Sequence, residues 1–315
     1  MAQEPVTRAR QETKVRAPAA AVYRLLADLD NWPRVFRPFV HLERLGTDGA
    51  FERIGMWTTD GEQVEHWVAL RRLDERALRI DFRPEEPPAS LASMERSWVV
   101  EPLSAEDCLL RLEHRYRMAE DDPAARADTG RLTESVGSAE LSAVREAAEQ
   151  QAASPGELLV LNDHLDIAGR ARDVYDFLHA ARHWDQRLPH VTEVTLHQDD
   201  GDGQLVEMAT RESGGGLLTT KAARVGRPHR EIVYKQLLLP PIGKSHCVRW
   251  RIGETAGGTS LAVQQIVVVD GAGVERMLGA GTSTAEAEGF IRRELGTKMR
   301  LILDGARRYV EANAA

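Results

Sequence analysis

The sequence predicts an α+β chain in which one module occurs twice, each copy an antiparallel sheet curved around a long C-terminal helix with an interior pocket. Three observations carry this. Val22-Tyr23, Leu26 and Trp32 return as Val174-Tyr175, Leu178 and Trp184, at a constant offset of 152 residues. The same offset, applied without gaps, superposes Asp48-Gly49 on Asp200-Gly201, Met56 on Met208, Ile80 on Ile232, Pro88 on Pro240, Trp98 on Trp250 and Gly137 on Gly289. The chain holds six Trp, so two Trp pairs at one offset are hard to obtain by chance. Within each copy a run of alternating strands lies apart from one long final helix, the segregation of an α+β fold.

Length and composition agree. A chain of 315 residues suggests two domains on a prior of ~150 each, here 1–151 and 152–315, with the Ala/Ser/Pro/Gly passage Gln150 to Glu157 as linker. The residues are 42% hydrophobic and 29% charged, which suits a globular chain. A net charge of -8 with mixed signs argues against nucleic acid or an anionic membrane as partner. No apolar run approaches the ~18 residues of a membrane span. Met1 to Arg10 is polar and lacks an apolar signal region, so a cytoplasmic location is expected. The two cysteines, Cys108 and Cys247, fall one in each half and fit a reducing compartment better than a disulfide framework.

In order, Thr7 to Arg16 alternates as a strand and stops at Ala17-Pro18. Ala19 to Asp28 sets Val22, Leu25, Leu26 and Leu29 at helical spacing, and Trp32-Pro33 starts a second helical turn through Phe36. Strands then follow at Val40 to Leu45, Phe51 to Thr58, Gln63 to Leu73, Leu78 to Phe82, Met94 to Glu101 and Leu109 to Met118, punctuated by Asp48-Gly49, Asp60-Gly61 and Asp74-Glu75. Thr133 to Gln151 reads as helix. The second half repeats the order: a strand from Leu158 to Ile167, a helix from Arg170 to Ala181, strands to Asp270, and a helix from Thr284 to Asn313.

This order resembles the helix grip of the START and Bet v 1 superfamily. Trp32-Pro33-Arg34-Val35-Phe36, then Trp67-x-x-x-Arg71, then Met94-x-x-x-Trp98, resembles the aromatase/cyclases of bacterial type II polyketide synthases. Val233-Tyr234-Lys235-Gln236 and Ser245-His246-Cys247-Val248-Arg249-Trp250 resemble the second module of the di-domain members. The resemblance implies a poly-β-ketone on an acyl carrier protein as substrate, other polyketide synthase components as partners, and first-ring aldol closure, dehydration or both as reaction. It implies a first-module pocket lined by Trp32, Phe39, Trp67, Arg71, Met94 and Trp98, to which strand parity adds Arg96, and Trp184, Tyr234, Gln236 and Trp250 are the substrate-binding candidates of the second module. Family members often carry a Tyr at the place of Phe39, so a proton-transfer role there is in doubt for the first module. A non-catalytic lipid or polyketide carrier of START type is the alternative.

Aldol closure needs an enolate, a polarised ketone and a folded chain, and positioning can dominate because methylene protons between two ketones are already acidic. A permanently charged Arg suits carbonyl or enolate oxygens, and a His can supply the acid and base of dehydration. The catalytic candidates are therefore Arg71, Arg224 and His246. Arg71 shares strand parity with Trp67 and Ala69 and should face inward. The offset pairs Arg72 with Arg224, and a bulge could decide the face of Arg224. His246 stands at the place of Met94, where a satisfied core histidine is the bland alternative. Arg96 should point inward while its counterpart is Val248, so the two cavities should differ. Ala139, Ala143 and Ala147 oppose Ile291, Leu295 and Met299 on the final helices, which predicts a larger first pocket. No cofactor or metal is expected: Gly271-Ala272-Gly273 has Arg276 where a dinucleotide loop needs its third Gly, His179 and His183 lack a third ligand, and Gly214-Gly215-Gly216 reads as a turn.

Overall fold

Alternating half-buried and exposed side chains make β1 (Thr7–Val15) a strand covered on one face. Pro18, which cannot donate and has a fixed φ, ends it and caps α1 (Ala19–Ala27), which buries Val22, Tyr23, Leu25 and Leu26. A 3-10 turn capped by the Asp28 carboxylate leads into α2 (Trp32–Val35). Six strands follow: β2 (Phe39–Asp48), β3 (Phe51–Thr59), β4 (Val64–Asp74), β5 (Arg79–Pro84), β6 (Leu91–Pro102) and β7 (Cys108–Met118). The module ends in α3 (Pro123–Ala153). This is a computed structural model that describes residues 6–153, 158–212 and 214–313. Residues 1–5 of the polar start and 154–157 of the expected linker lie outside the described residues.

The second module repeats the plan with β8 (Leu158–Ile167), α4 (Ala171–His179), α5 (Trp184–Arg187), β9 (Val191–Asp200), β10 (Gly203–Arg211), β11 (Leu217–Arg227), β12 (Glu231–Leu238), β13 (Gly243–Thr255) and β14 (Gly258–Val269). The sequence did not predict α6 (Gly271–Leu278); Gly271-Ala272-Gly273 opens this helix. A Cβ at Gly273 would collide with the Pro241 carbonyl, so the close approach requires glycine. The Gly214-Gly215-Gly216 run is a turn, with Gly215 at φ 85°. Helix α7 (Thr284–Asn313) completes the chain.

Each module is a seven-stranded antiparallel sheet, in the order β1-β7-β6-β5-β4-β3-β2 and β8-β14-β13-β12-β11-β10-β9. Helix α3 packs on β1, β7 and α1, and α7 on β8 and α4. The chain divides into two compact units, Met1–Met56 with His66–Pro155 and Trp57–Glu65 with Gly156–Ala315. Each unit has its own core between sheet and helices. No helix among the described residues is long and apolar enough to cross a membrane.

Candidate active site

Two arginines frame the two interiors. Arg71 faces Phe82 across the β4–β5 ladder, and Arg224 faces Tyr234 across β11–β12. Arg71, and not Arg72, is therefore the counterpart of Arg224. The offset slips by one residue here, and the β11–β12 ladder carries a register shift at Lys221/Ala222. Arg72 pairs with Asp81 at 2.7 Å on the outer face. Arg71, 1% exposed, forks the Glu52 carboxylate with Nε at 2.9 Å and Nη2 at 2.6 Å, and Nη1 donates to the Ala27 carbonyl at 2.7 Å. That carbonyl belongs to the end of α1, where the helix leaves acceptors unpaired. Arg224 repeats the arrangement: Nη2 donates to Leu178 O at 2.6 Å and Nη1 to Gln204 Oε1 at 2.8 Å. Glu52 and Gln204 are related by the 152 offset.

The exchange of Glu for Gln changes the electrostatics. Glu52 neutralises Arg71, whereas both hydrogen-bond partners of Arg224 are neutral. Arg224 stacks 5.1 Å from the Trp184 ring, and its Nε is buried without a partner. Burial pushes the Arg224 guanidinium down to about 10, against the pull of Tyr234 and Tyr175. Burial also lowers Arg71, with Glu52 opposing. The second interior thus holds a cation that the first one compensates.

Aromatic rings cluster in the first interior. Trp32 lies 5.0 Å from Phe36, 5.0 Å from Phe39 and 5.1 Å from Phe82, and Phe36 lies 6.1 Å from Trp98. Ala143 and Ala147 of α3 pack against this cluster. At the offset, Phe36 and Phe39 become Leu188 and Val191. A cavity under a helix lies in the second unit, where these two smaller side chains replace the phenyl rings and Val191 is part of the wall. Polar groups also lie beneath α3. Arg96 pairs with Glu140 and is the ladder partner of His114. Burial, then Arg96, pushes His114 down to about 4.

The second interior encloses a cavity of about 110 Å³. Trp184, Val191, Met208 and Tyr234 wall one side, and Leu295, Met299 and Ile302 of α7 the other. His190, Thr210, Thr220, Gln236, His246, Gln265 and Lys298 bring polar atoms to it. An outer lobe of about 80 Å³ continues past Ile242, Met277 and Phe290, and both lobes touch His246 and Lys298. An apolar cavity of ~150 Å³ accommodates one benzene ring, so the inner lobe has the scale of a single six-membered ring.

His246 is 8% exposed, with Nε2 3.0 Å from Gln265 Oε1. An amide oxygen only accepts, so Nε2 donates and Nδ1 keeps its lone pair. Burial pushes His246 down to about 4, with the Gln265 bond opposing. Burial, then Lys298, does the same to His190, whose Nδ1 is buried without a partner. Burial raises the Tyr234 phenol to about 12 against Arg224, and Gln236 Oε1 is buried and unpartnered. Around neutral pH the wall therefore presents neutral imidazoles and a phenol.

Residues 6–149 match the family described as polyketide cyclase/dehydrase and lipid transport. The granaticin polyketide synthase bifunctional cyclase/dehydratase of Streptomyces virginiae is 35% identical over 299 residues, covering 92% of this chain and 95% of its own. The chain belongs to the polyketide cyclase/dehydratase family. Two solved structures resemble it over its length. The di-domain ARO/CYC BexL from the BE-7585A biosynthetic pathway matches at 38% identity and a TM-score of 0.92, covering 97% of this chain and 99% of that one. The di-domain ARO/CYC StfQ from the steffimycin pathway matches at 30% and 0.86, with the same 97% and 99% coverage. The tandem helix-grip architecture expected from the repeat is that of these cyclase/dehydratase relatives.

In this family member the residues singled out from sequence are distributed unevenly. Trp184, Tyr234, Gln236 and His246 meet at the second cavity. Arg224 stands behind Trp184, and Trp250 is packed into the core of the same unit. Trp32, Phe39 and Trp98 belong to the first ring cluster. Met94 packs against Leu91, Tyr116 and Met118. Parity placed Trp67 inward with Ala69 and Arg71. Those two are buried, but Trp67 is 38% exposed; it lies in β4 ahead of the stretch paired with β5, which begins at Ala69. The indole of Trp32 donates to Leu26 O at 2.8 Å and that of Trp184 to Phe177 O at 3.2 Å, so both fix the short helices to the end of the preceding one. Among the polar cavity residues, Gln265, Lys298, His190, Thr210 and Thr220 were missed. Gln265 interrupts the inward apolar run Leu261, Val263, Val267 and Val269 of β14, and Lys298 lies within the Leu295–Ile302 stripe of α7. Both were readable as polar interruptions of an apolar face. His190 sits before β9 and had no periodic signal.

Proposed function

We propose that this cyclase/dehydratase closes and dehydrates the first ring of a carrier-protein-bound poly-β-ketone, that its second cavity holds the reacting segment, and that it uses no cofactor. The observation that carries the reading is His246, an unprotonated imidazole held by Gln265 at the wall of a ring-sized cavity. Its basic Nδ1 takes a proton from a methylene between two carbonyls, and the carbanion attacks a ketone carbon across the folded chain. The new alkoxide takes a proton to become the aldol hydroxyl. For dehydration the imidazole removes the ring proton and returns it to the departing hydroxyl, which leaves as water while the double bond forms. Burial disfavours the imidazolium, so the proton moves on readily. Tyr234, held as a phenol, donates to the ketone or alkoxide oxygen. Arg224 acts from behind Trp184 and Tyr234 as a positioning charge.

Domains 1–151 and 152–315 then have unequal tasks. The aromatic cluster of the first supports a framework or docking role, with Arg71 committed to Glu52 and Ala27. Cys108 and Cys247 are not joined in a disulfide, which suits a cytoplasmic setting. A purely apolar carrier has little use for His246, Gln265 and Lys298 in its wall. Reconstitution with a minimal polyketide synthase, with and without a ketoreductase, tests the reading. Adding this chain should divert shunt products into a first-ring aromatic product in one mixture. Unchanged shunt products in both would favour the carrier.

A further inference from the structure

Lys298 is the one formally charged side chain among the residues that wall the inner lobe. It rises from the apolar stripe of α7 between Leu295 and Ile302, and its Nζ lies 3.3 Å from Thr210 Oγ1 at the end of β10. His190 faces it from the segment before β9, His246 from β13, Glu212 from just beyond β10 and Glu294 from its own helix. The glutamates border the outer lobe and not the inner one. On the inner side the ammonium therefore meets neutral groups, among them Gln236 and His190, each with an unpartnered buried atom. Burial lowers its proton affinity while Glu212 and Glu294 sustain it. A half-buried cation on an otherwise apolar stripe costs stability except where pairing and hydrogen bonds offset it.

Resting on the reading of this cavity as the site of ring closure, we propose that Lys298 is its oxyanion-holding residue, taking the enolate oxygen formed when a 1,3-diketone segment gives up its methylene proton. His246 and Lys298 would then split the enolisation. The imidazole accepts the proton, and the ammonium, which keeps its own three protons, stabilises the oxygen on which the electron pair comes to rest. No bond to nitrogen forms. Opposite charges within ~4–6 Å shift an ionisation by roughly one to three pKa units. Ionisation of a bound diketone should therefore be favoured at least about tenfold.

A 1,3-diketone carrying one aryl ring spans the inner and outer lobes, which share His246 and Lys298, and its enolate can be followed by near-ultraviolet absorbance. Bound to the unaltered protein, it should ionise at least about one pH unit below its midpoint in water. With Lys298→Met or Lys298→Gln the neutral diketone should still bind, but the midpoint should return to the aqueous value or above it, and Lys298→Arg should recover part of the shift. The Gln variant keeps a polar head toward Thr210 should the Met variant not fold. An identical midpoint in the unaltered and neutralised proteins would overturn the role of Lys298. Borohydride trapping of the probe on the unaltered chain would also overturn it, in favour of an imine. Failure of the unaltered protein to bind the diketone would remove the cavity reading itself.

Discussion

The single atom that separates Glu52 from Gln204, a carboxylate oxygen against an amide nitrogen, decides whether a buried arginine is compensated. Glu52→Gln would give Arg71 the neutral fork that already holds Arg224. Geometry should survive, and the loss of the charge-assisted hydrogen bonds should lower stability by about 1–3 kcal/mol in urea denaturation. Arg71→Met should cost more, since it leaves the Glu52 carboxylate and the Ala27 carbonyl without that donor. At the cavity, His246→Gln should reduce the rate of aromatic product formation by about 10²-fold or more with little change at neutral pH in the urea midpoint. The repeat offset led to His246, Tyr234 and Trp184 because these replace or repeat a residue of the other copy. It did not lead to His190 or Lys298, whose positions acquire meaning only when β10, α7 and the segment before β9 converge.

At the scale of elements, strand positions were legible because alternation over β7, β8 and β14 is close to unbroken. Helix starts were less so. Helix α3 was expected from Thr133 but begins at Pro123, where the Asp122 carboxylate accepts from the Ala124 and Ala125 amides at 2.8 and 3.1 Å. The first turns of α3 bury few apolar residues, so periodicity was silent and the Asp-Pro cap was the available signal. Asp122→Ala should therefore cost about 1 kcal/mol, read as a lower urea midpoint. Helix α6 was missed because a Gly-Ala-Gly start reads as a loop, whereas tertiary contact with the Pro241 carbonyl is what selects glycine there.

Over the whole molecule, the duplication was the most legible feature and the roominess of the interiors the least. Pocket volume depends on side chains from several elements at once, as the convergence of β10, β12, β13 and α7 on the second cavity shows. The buried histidines give the molecule a pH signature. His114, His190 and His246 each titrate at about 4 when folded, below the ordinary value of 6.5. A depressed folded pKa means that the unfolded chain binds the proton first. The stability these groups supply is complete above pH 6.5 and is lost as pH falls from there toward 4. Each should account for up to about 2 kcal/mol by pH 5. Urea midpoints should drop between pH 7 and 5, less steeply in His246→Gln, and equal stability at both values would contradict the assigned protonation states.

The account turns on the open second cavity, and Val191→Phe tests it most directly by placing there the ring that Phe39 supplies in the first module. In reconstitution with the minimal polyketide synthase, the folded Val191→Phe protein should yield shunt products in place of the first-ring aromatic product formed by the unaltered chain. An undiminished yield of that product from the Val191→Phe protein would place the chemistry outside this cavity.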